Sequence, residues 1–190
     1  MIVGIDSSLT STGIAIIRGE YRKLYNILSK PNVYRTKEER VKYIATQVIR
    51  RVKEEQKILS AKTIGWGTED YAMSRRMGRG LDLAEVGCLI KQTMWGLTGH
   101  LPIKINPKTL KKFITGRGNV QKNQHLLYAY TKWDFKFPND DVCDAFAIAK
   151  LVEALLTKNP EDLYKYEVEC CTAVVKYNTA EEEEWAEKFI

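Results

Sequence analysis

At 190 residues, with 44% apolar and 28% charged side chains, the chain suits one domain with a substantial core and falls short of two. No apolar run approaches the roughly 20 residues that cross a bilayer. The start, Met-Ile-Val-Gly-Ile-Asp, lacks the basic n-region of a signal peptide, so a cytoplasmic protein is expected. The net charge of +6 is uneven: residues 151–190 carry four Lys and ten Asp or Glu, a net of −6, which leaves +12 on residues 1–150. A body this basic points to a polyanionic partner, because each Lys or Arg set on a phosphate releases counterions.

In chain order, residues 2–6 read as a short buried strand that ends in an acid. After a turn-rich stretch, residues 13–17 form a second strand, Arg18-Gly19-Glu20 a hairpin turn, and residues 21–28 a third strand. Residues 37–59 are helical, since Val41, Ile44, Ala45, Val48, Ile49 and Val52 recur at spacings of three and four. Residues 61–68 return to strand character and run into Glu69-Asp70-Tyr71. The basic, glycine-containing stretch 74–80 reads as a loop. Residues 81–97 are a second helix and 101–105 a short strand. Asn106-Pro107 starts the helix 108–114, with Asn as N-cap and Pro at the first helical position. That helix stops at Thr115-Gly116-Arg117-Gly118. Two more helices follow, 120–131 and 141–156, the last opened by Pro138-Asn139-Asp140 with acids suited to an N-terminus. The expected class is α/β with a mixed sheet. Residues 1–157 form the domain, and 158–190 an acidic extension packed on it or flanking it.

Four acids stand out. Asp6 and Glu69 each close an apolar strand, where a carboxylate loses hydration unless it has a partner. Asp141 and Asp144 are three apart on one helix and share a face. Asp140 and Asp70 compete with their neighbours for these positions, and in a strand only one of two adjacent residues can point into a site. Cys88, Cys143, Cys170 and Cys171 form no CxxC pair, and His100 and His125 are far apart, so a metal is expected on oxygen ligands. Taken together, the four acids offer enough oxygens for two Mg²⁺ ions, the arrangement of two-metal phosphoryl chemistry.

Residues 2–13, Ile-Val-Gly-Ile-Asp-Ser-Ser-Leu-Thr-Ser-Thr-Gly, resemble the opening of RuvC-type Holliday junction resolvases. Glu69 in Thr68-Glu69-Asp70-Tyr71 resembles that family's second acid. Asp141-Val142-Cys143-Asp144-Ala145 resembles the start of its closing helix. Residues 111–122 resemble its basic segment, a Lys, a Gly-x-Gly turn and a second Lys eleven residues after the first. The resemblance implies an RNase H-like fold, a five-stranded mixed sheet whose first three strands are antiparallel, flanked by helices. It implies Asp6, Glu69, Asp141 and Asp144 as ligands of two Mg²⁺ ions, for which Mn²⁺ can substitute, with no small-molecule cofactor. It further implies that Lys111 and Lys122 contact phosphates near the cut, Lys122 with a catalytic part, and that Lys112 and Arg117 belong to the same DNA-binding segment. The implied partners are branched DNA and a second copy of the chain. Residues 81–97 are the expected dimer contact, and no membrane is involved.

The sequence also departs from the family. Ser7-Ser8 stands where cellular relatives have Pro-Gly, and residues beyond 158 have no recognised counterpart. The segment 72–80 offers Arg75, Arg76 and Arg79 for phosphates, with Tyr71 or Met73 as a wedge at the junction centre. These differences suggest a phage-type relative. A two-lobed actin-like ATPase would need about twice this length, and a non-catalytic DNA-binding module would be expected to have lost an acid. An RNase H would read a 2′-OH. A nuclease of broader scope, cutting forks and flaps, shares every feature with a junction resolvase.

Overall fold

The computed structural model describes residues 1–70, 77–117 and 122–178, with the side chains of 77–80 and 122–123 outside that description. Strand β1, Ile2–Asp6, pairs antiparallel with β2, Ser11–Arg18, and β2 pairs antiparallel with β3, Tyr21–Leu28. Strands β4, Gly65–Glu69, and β5, Ile103–Ile105, run parallel to β1, which gives a five-stranded mixed sheet of order β3-β2-β1-β4-β5. The parallel strands need crossovers, and helices supply them. Helix α1, Lys37–Ile58, leads into β4, and α2, Met77–Thr98, leads into β5.

Period-two alternation sorts the strand residues onto two cores. Val3, Ile5, Ile14, Ile16 and Trp66 face α1 and α2, meeting Ile44, Val48, Val52, Ile90 and Met94. Ile2, Ala15 and Ile17 belong to the opposite core, built by α3, Pro107–Thr115, α4, Lys122–Trp133, and α5, Asp140–Thr157. Helix α5 lies across β1, β2 and β4, and glycines let it come close. A Cβ on Gly4 would stand 2.0 Å from the Ala145 carbonyl oxygen, and one on Gly13 would stand 2.1 Å from that of Asp141. A Cβ on Gly67 would meet the Val152 and Ile148 side chains instead, at 2.7 and 3.1 Å.

The helix starts follow their caps. Thr36 accepts from the Glu39 amide at 3.2 Å, Asn106 from Lys108 at 2.9 Å, and Asn139 from Val142 at 2.9 Å. Gly116, at φ 70°, ends α3 in the left-handed conformation that glycine adopts without penalty.

Three expectations change. The loop reading of 74–80 fails over 77–80, where the backbone is already helical: α2 starts at Met77. Gly78 and Gly80 each cost a helix about 1 kcal/mol, which the long apolar stretch after them outweighs. The strand expected at 61–68 is confined to Gly65–Glu69, preceded by a crossing in which the Ile64 amide donates to the Met1 carbonyl at 2.9 Å. The acidic extension contains a further helix, α6, Lys165–Asn178, which packs on α3 and β5. Its Asn178 side chain accepts from the Lys104 amide and donates to the Lys104 carbonyl, both at 2.9 Å, so it occupies the backbone groups of an edge strand.

Candidate active site

The sheet register brings the strand acids together. Ile5 pairs with Thr68 across the parallel β1–β4 ladder, so the next residues along, Asp6 and Glu69, stand level on adjacent strands. Gly4 and Gly67 face α5, and alternation carries Asp6 and Glu69, two residues on, to that same face. Gly13, opposite Asp6 on β2, is pressed against the Asp141 backbone at the first turn of α5. All four acids are partly buried at this one end of the sheet.

Each carboxylate has a distinct setting. Asp141 receives a hydrogen bond from the Ser11 hydroxyl at 2.5 Å, and Ser11 Oγ also lies 2.9 Å from Asn26 Oδ1. With one proton to give, Ser11 serves the carboxylate, the stronger acceptor. Burial, and then the Asp144 charge, push the Glu69 carboxyl up to about 7; Lys111 and His125 act in the opposite direction. That influence puts the Lys111 ammonium in the electrostatic reach of the site. Asp70 belongs elsewhere: the Tyr177 hydroxyl of α6 donates to its carboxylate. Glu69, not its neighbour, therefore joins the acids.

His125 was not anticipated. It lies on α4 with its residue 8% exposed, and its Nε2 is 2.7 Å from Asp144 Oδ1 without hydrogen-bond alignment. Among the described residues, neither atom has a hydrogen-bonding partner. His125, Cys143 and Asp144 offer ligand atoms that all lie within 4.8 Å of one another. An imidazole nitrogen therefore stands within ligand distance of the acids, beside the oxygen donors that the sequence leads one to expect. The sequence held one signal: His125 and Ala129 share the buried stripe of α4, where a polar residue asks for a partner. Cys143 is different. Its thiol is buried in the core and held well above the usual range by burial, which keeps it protonated and a poor ligand.

The donor set fits a divalent cation. Neighbouring carboxylates raise one another's pKa unless a positive charge sits between them, and two buried polar atoms lie together without hydrogen bonds.

Among the basic candidates, Lys111 and Arg117 are exposed near the end of α3. Lys112 is turned toward α6, its ammonium 2.5 Å from Glu169 Oε2. Tyr71, Met73, Arg75 and Arg76 lie outside the described residues, as do the side chains of Arg79 and Lys122.

A mixed sheet of this order, flanked by helices, is the RNase H-like fold. Within it, the family model for the crossover junction endodeoxyribonuclease RuvC matches residues 2–151, and the chain belongs to that family. It is 28% identical over 166 residues to the crossover junction endodeoxyribonuclease RuvC of Rickettsia massiliae (strain Mtu5), covering 84% of this chain and 99% of the relative. Its fold is similar to that of T. thermophilus RuvC in complex with a Holliday junction substrate, with a TM-score of 0.61 at 18% identity, over 78% of this chain and 89% of the other. A second Thermus thermophilus RuvC structure gives a TM-score of 0.59 at 17% identity, over 78% and 90%. Nucleases of this family are metal-dependent, and the described residues of this chain include a His125, Cys143 and Asp144 cluster that could hold a metal.

Proposed function

We propose that this chain resolves four-way DNA junctions by paired symmetric nicks, acting as a homodimer with one active site per protomer. The observation that carries the reading is the register that sets Asp6 beside Glu69 on the face covered by the Asp141–Asp144 turn of α5. Asp6, Glu69, Asp141 and Asp144 would hold two Mg²⁺ ions, or Mn²⁺ in their place, supplying Lewis acidity to the scissile phosphate and the attacking water. The chain's own groups do the rest. Ser11 fixes the Asp141 carboxylate, the α5–sheet contact sets the spacing of the acids, and Lys111 and Lys122 hold phosphate oxygens at the cut. The junction held by the Thermus thermophilus relative supports the choice of substrate.

The same reading assigns residues 1–157 to the nuclease and 158–190 to an extension carried on its flank, and places the enzyme in the cytoplasm of a bacterial or phage-infected cell. Arg75, Arg76, Arg79 and Tyr71 would contact the junction arms and centre, and α2 would carry the dimer contact. No helix among the described residues is long and apolar enough to cross a membrane.

The test is cleavage of a four-way junction, a fork and a linear duplex of matched sequence, with Mg²⁺ and with EDTA. Paired nicks on the four-way junction alone, abolished by EDTA, are expected. Equal cutting of the fork would replace this reading with a general branched-DNA nuclease. Asp6→Asn and Asp144→Asn should each lose cutting while junction binding persists, as gel shift will show; folded variants that fail to bind would overturn the assignment of these acids to metal.

A further inference from the structure

We infer that His125 is itself a metal ligand, its Nε2 completing a mixed nitrogen and oxygen donor set with Asp144. The inference rests on the metal-dependent nuclease reading above and adds a residue to it. The geometry is that of a coordination edge and not of a hydrogen bond. Nε2 and Asp144 Oδ1 are 2.7 Å apart, the N–H is out of line, and neither atom has a hydrogen-bonding partner among the described residues. Two ligand atoms at right angles, each about 2.1 Å from an ion, stand about 3 Å apart. A histidine serving only to orient Asp144 would direct its N–H at the carboxylate, as orienting partners of metal ligands do. The burial of His125 also weighs in, because a buried imidazole with an unmet nitrogen costs stability that a ligated one does not.

An imidazole ligand changes which cation the site prefers. Nitrogen donors favour first-row transition ions over Mg²⁺, which takes oxygen and water; Mn²⁺, at the hard end of that series, gains least from them but still more than Mg²⁺. The site should therefore bind Mn²⁺ more tightly, relative to Mg²⁺, than a site made of carboxylates alone.

The chain makes this testable, because it has only two histidines. His100 lies beyond the end of α2, where its carbonyl accepts from the Trp66 indole at 2.9 Å, away from the acids. Full-length protein labelled with ¹⁵N-histidine is loaded with Mn²⁺ alone and examined by electron spin echo envelope modulation. A directly bound imidazole nitrogen is expected, retained in His100→Gln and lost in His125→Gln. Calorimetry on His125→Gln should show Mn²⁺ affinity reduced more than Mg²⁺ affinity, which loss of an orienting hydrogen bond to Asp144 alone would not produce. Bound Mn²⁺ with no histidine coupling in the labelled wild-type protein would overturn the inference and leave the nuclease reading intact, and this readout does not require the variant to fold. Failure to bind Mn²⁺ at all would overturn the metal-dependent reading as well.

Discussion

Gly13 has no side chain, yet it holds the site together. A methyl there would meet the Asp141 carbonyl oxygen at 2.1 Å, and one at Gly4 would meet that of Ala145 at 2.0 Å. Both obstacles are backbone of the same helix, so α5 would have to move as a body. Gly4→Ala should cost about 3 kcal/mol or more, at the upper end for overpacking, read as a lowered urea midpoint. Gly13→Ala should also displace Asp141 from the Ser11 hydroxyl and lose cleavage while junction binding remains; full activity would mean that Asp141 does not need this seat. Gly19, at φ 57° with open space around it, is the contrast: alanine there should cost only about 1 kcal/mol, from its left-handed backbone. The acids were legible in the sequence because strand ends and a three-residue helical spacing are local patterns. His125 was not, since nineteen residues separate it from Asp144 and only the packing of α4 on α5 brings them together.

The succession of strands and helices was legible for the same reason, and the mixed sheet with three antiparallel strands followed from the family resemblance, while α6 was hidden by its composition. Its charges drew notice, but its structure lies in the stripe Cys170, Cys171, Val174 and Val175, buried against the α3–α5 core. Two ion pairs fasten it. Lys112 meets Glu169 at the surface, and Lys132 of α4 meets Glu167 at 2.7 Å where their side chains are 14% and 10% exposed. The second pair matters for stability. Burial draws the Lys132 ammonium below its usual range despite Glu167, and the ring of Phe113 lies 4.0 Å from its Nζ. Removing one partner leaves a buried charge uncompensated, so Glu167→Ala should destabilise by about 3 kcal/mol in urea unfolding. The double change Lys132→Met with Glu167→Leu should recover most of that loss. If Glu167→Ala unfolds like the wild type, α6 is not fastened to α4 by this pair.

At the scale of the whole molecule, charge is divided between a basic body and an acidic end, and α6, with two Lys and two Glu, sets Glu169 against α3. Lys111 and Lys112 are neighbours in the basic segment expected to meet DNA, but their surroundings differ. Lys111 faces solvent within the field of the acids, whereas the Lys112 ammonium is held by Glu169 at 2.5 Å. A cation already neutralised by a carboxylate displaces few counterions when it reaches a phosphate, so the two should differ in the salt dependence of binding. Each phosphate contact contributes about −0.9 to the slope of log affinity against log salt. Measured by fluorescence anisotropy on a four-way junction in EDTA, Lys111→Ala should reduce the magnitude of that slope by about 1 and weaken binding alike for every junction sequence. Lys112→Ala should leave the slope unchanged, and Glu169→Ala should steepen it by releasing Lys112 to the DNA. Equal losses from Lys111→Ala and Lys112→Ala would show that DNA outcompetes Glu169, and that α6 does not mask this part of the basic surface.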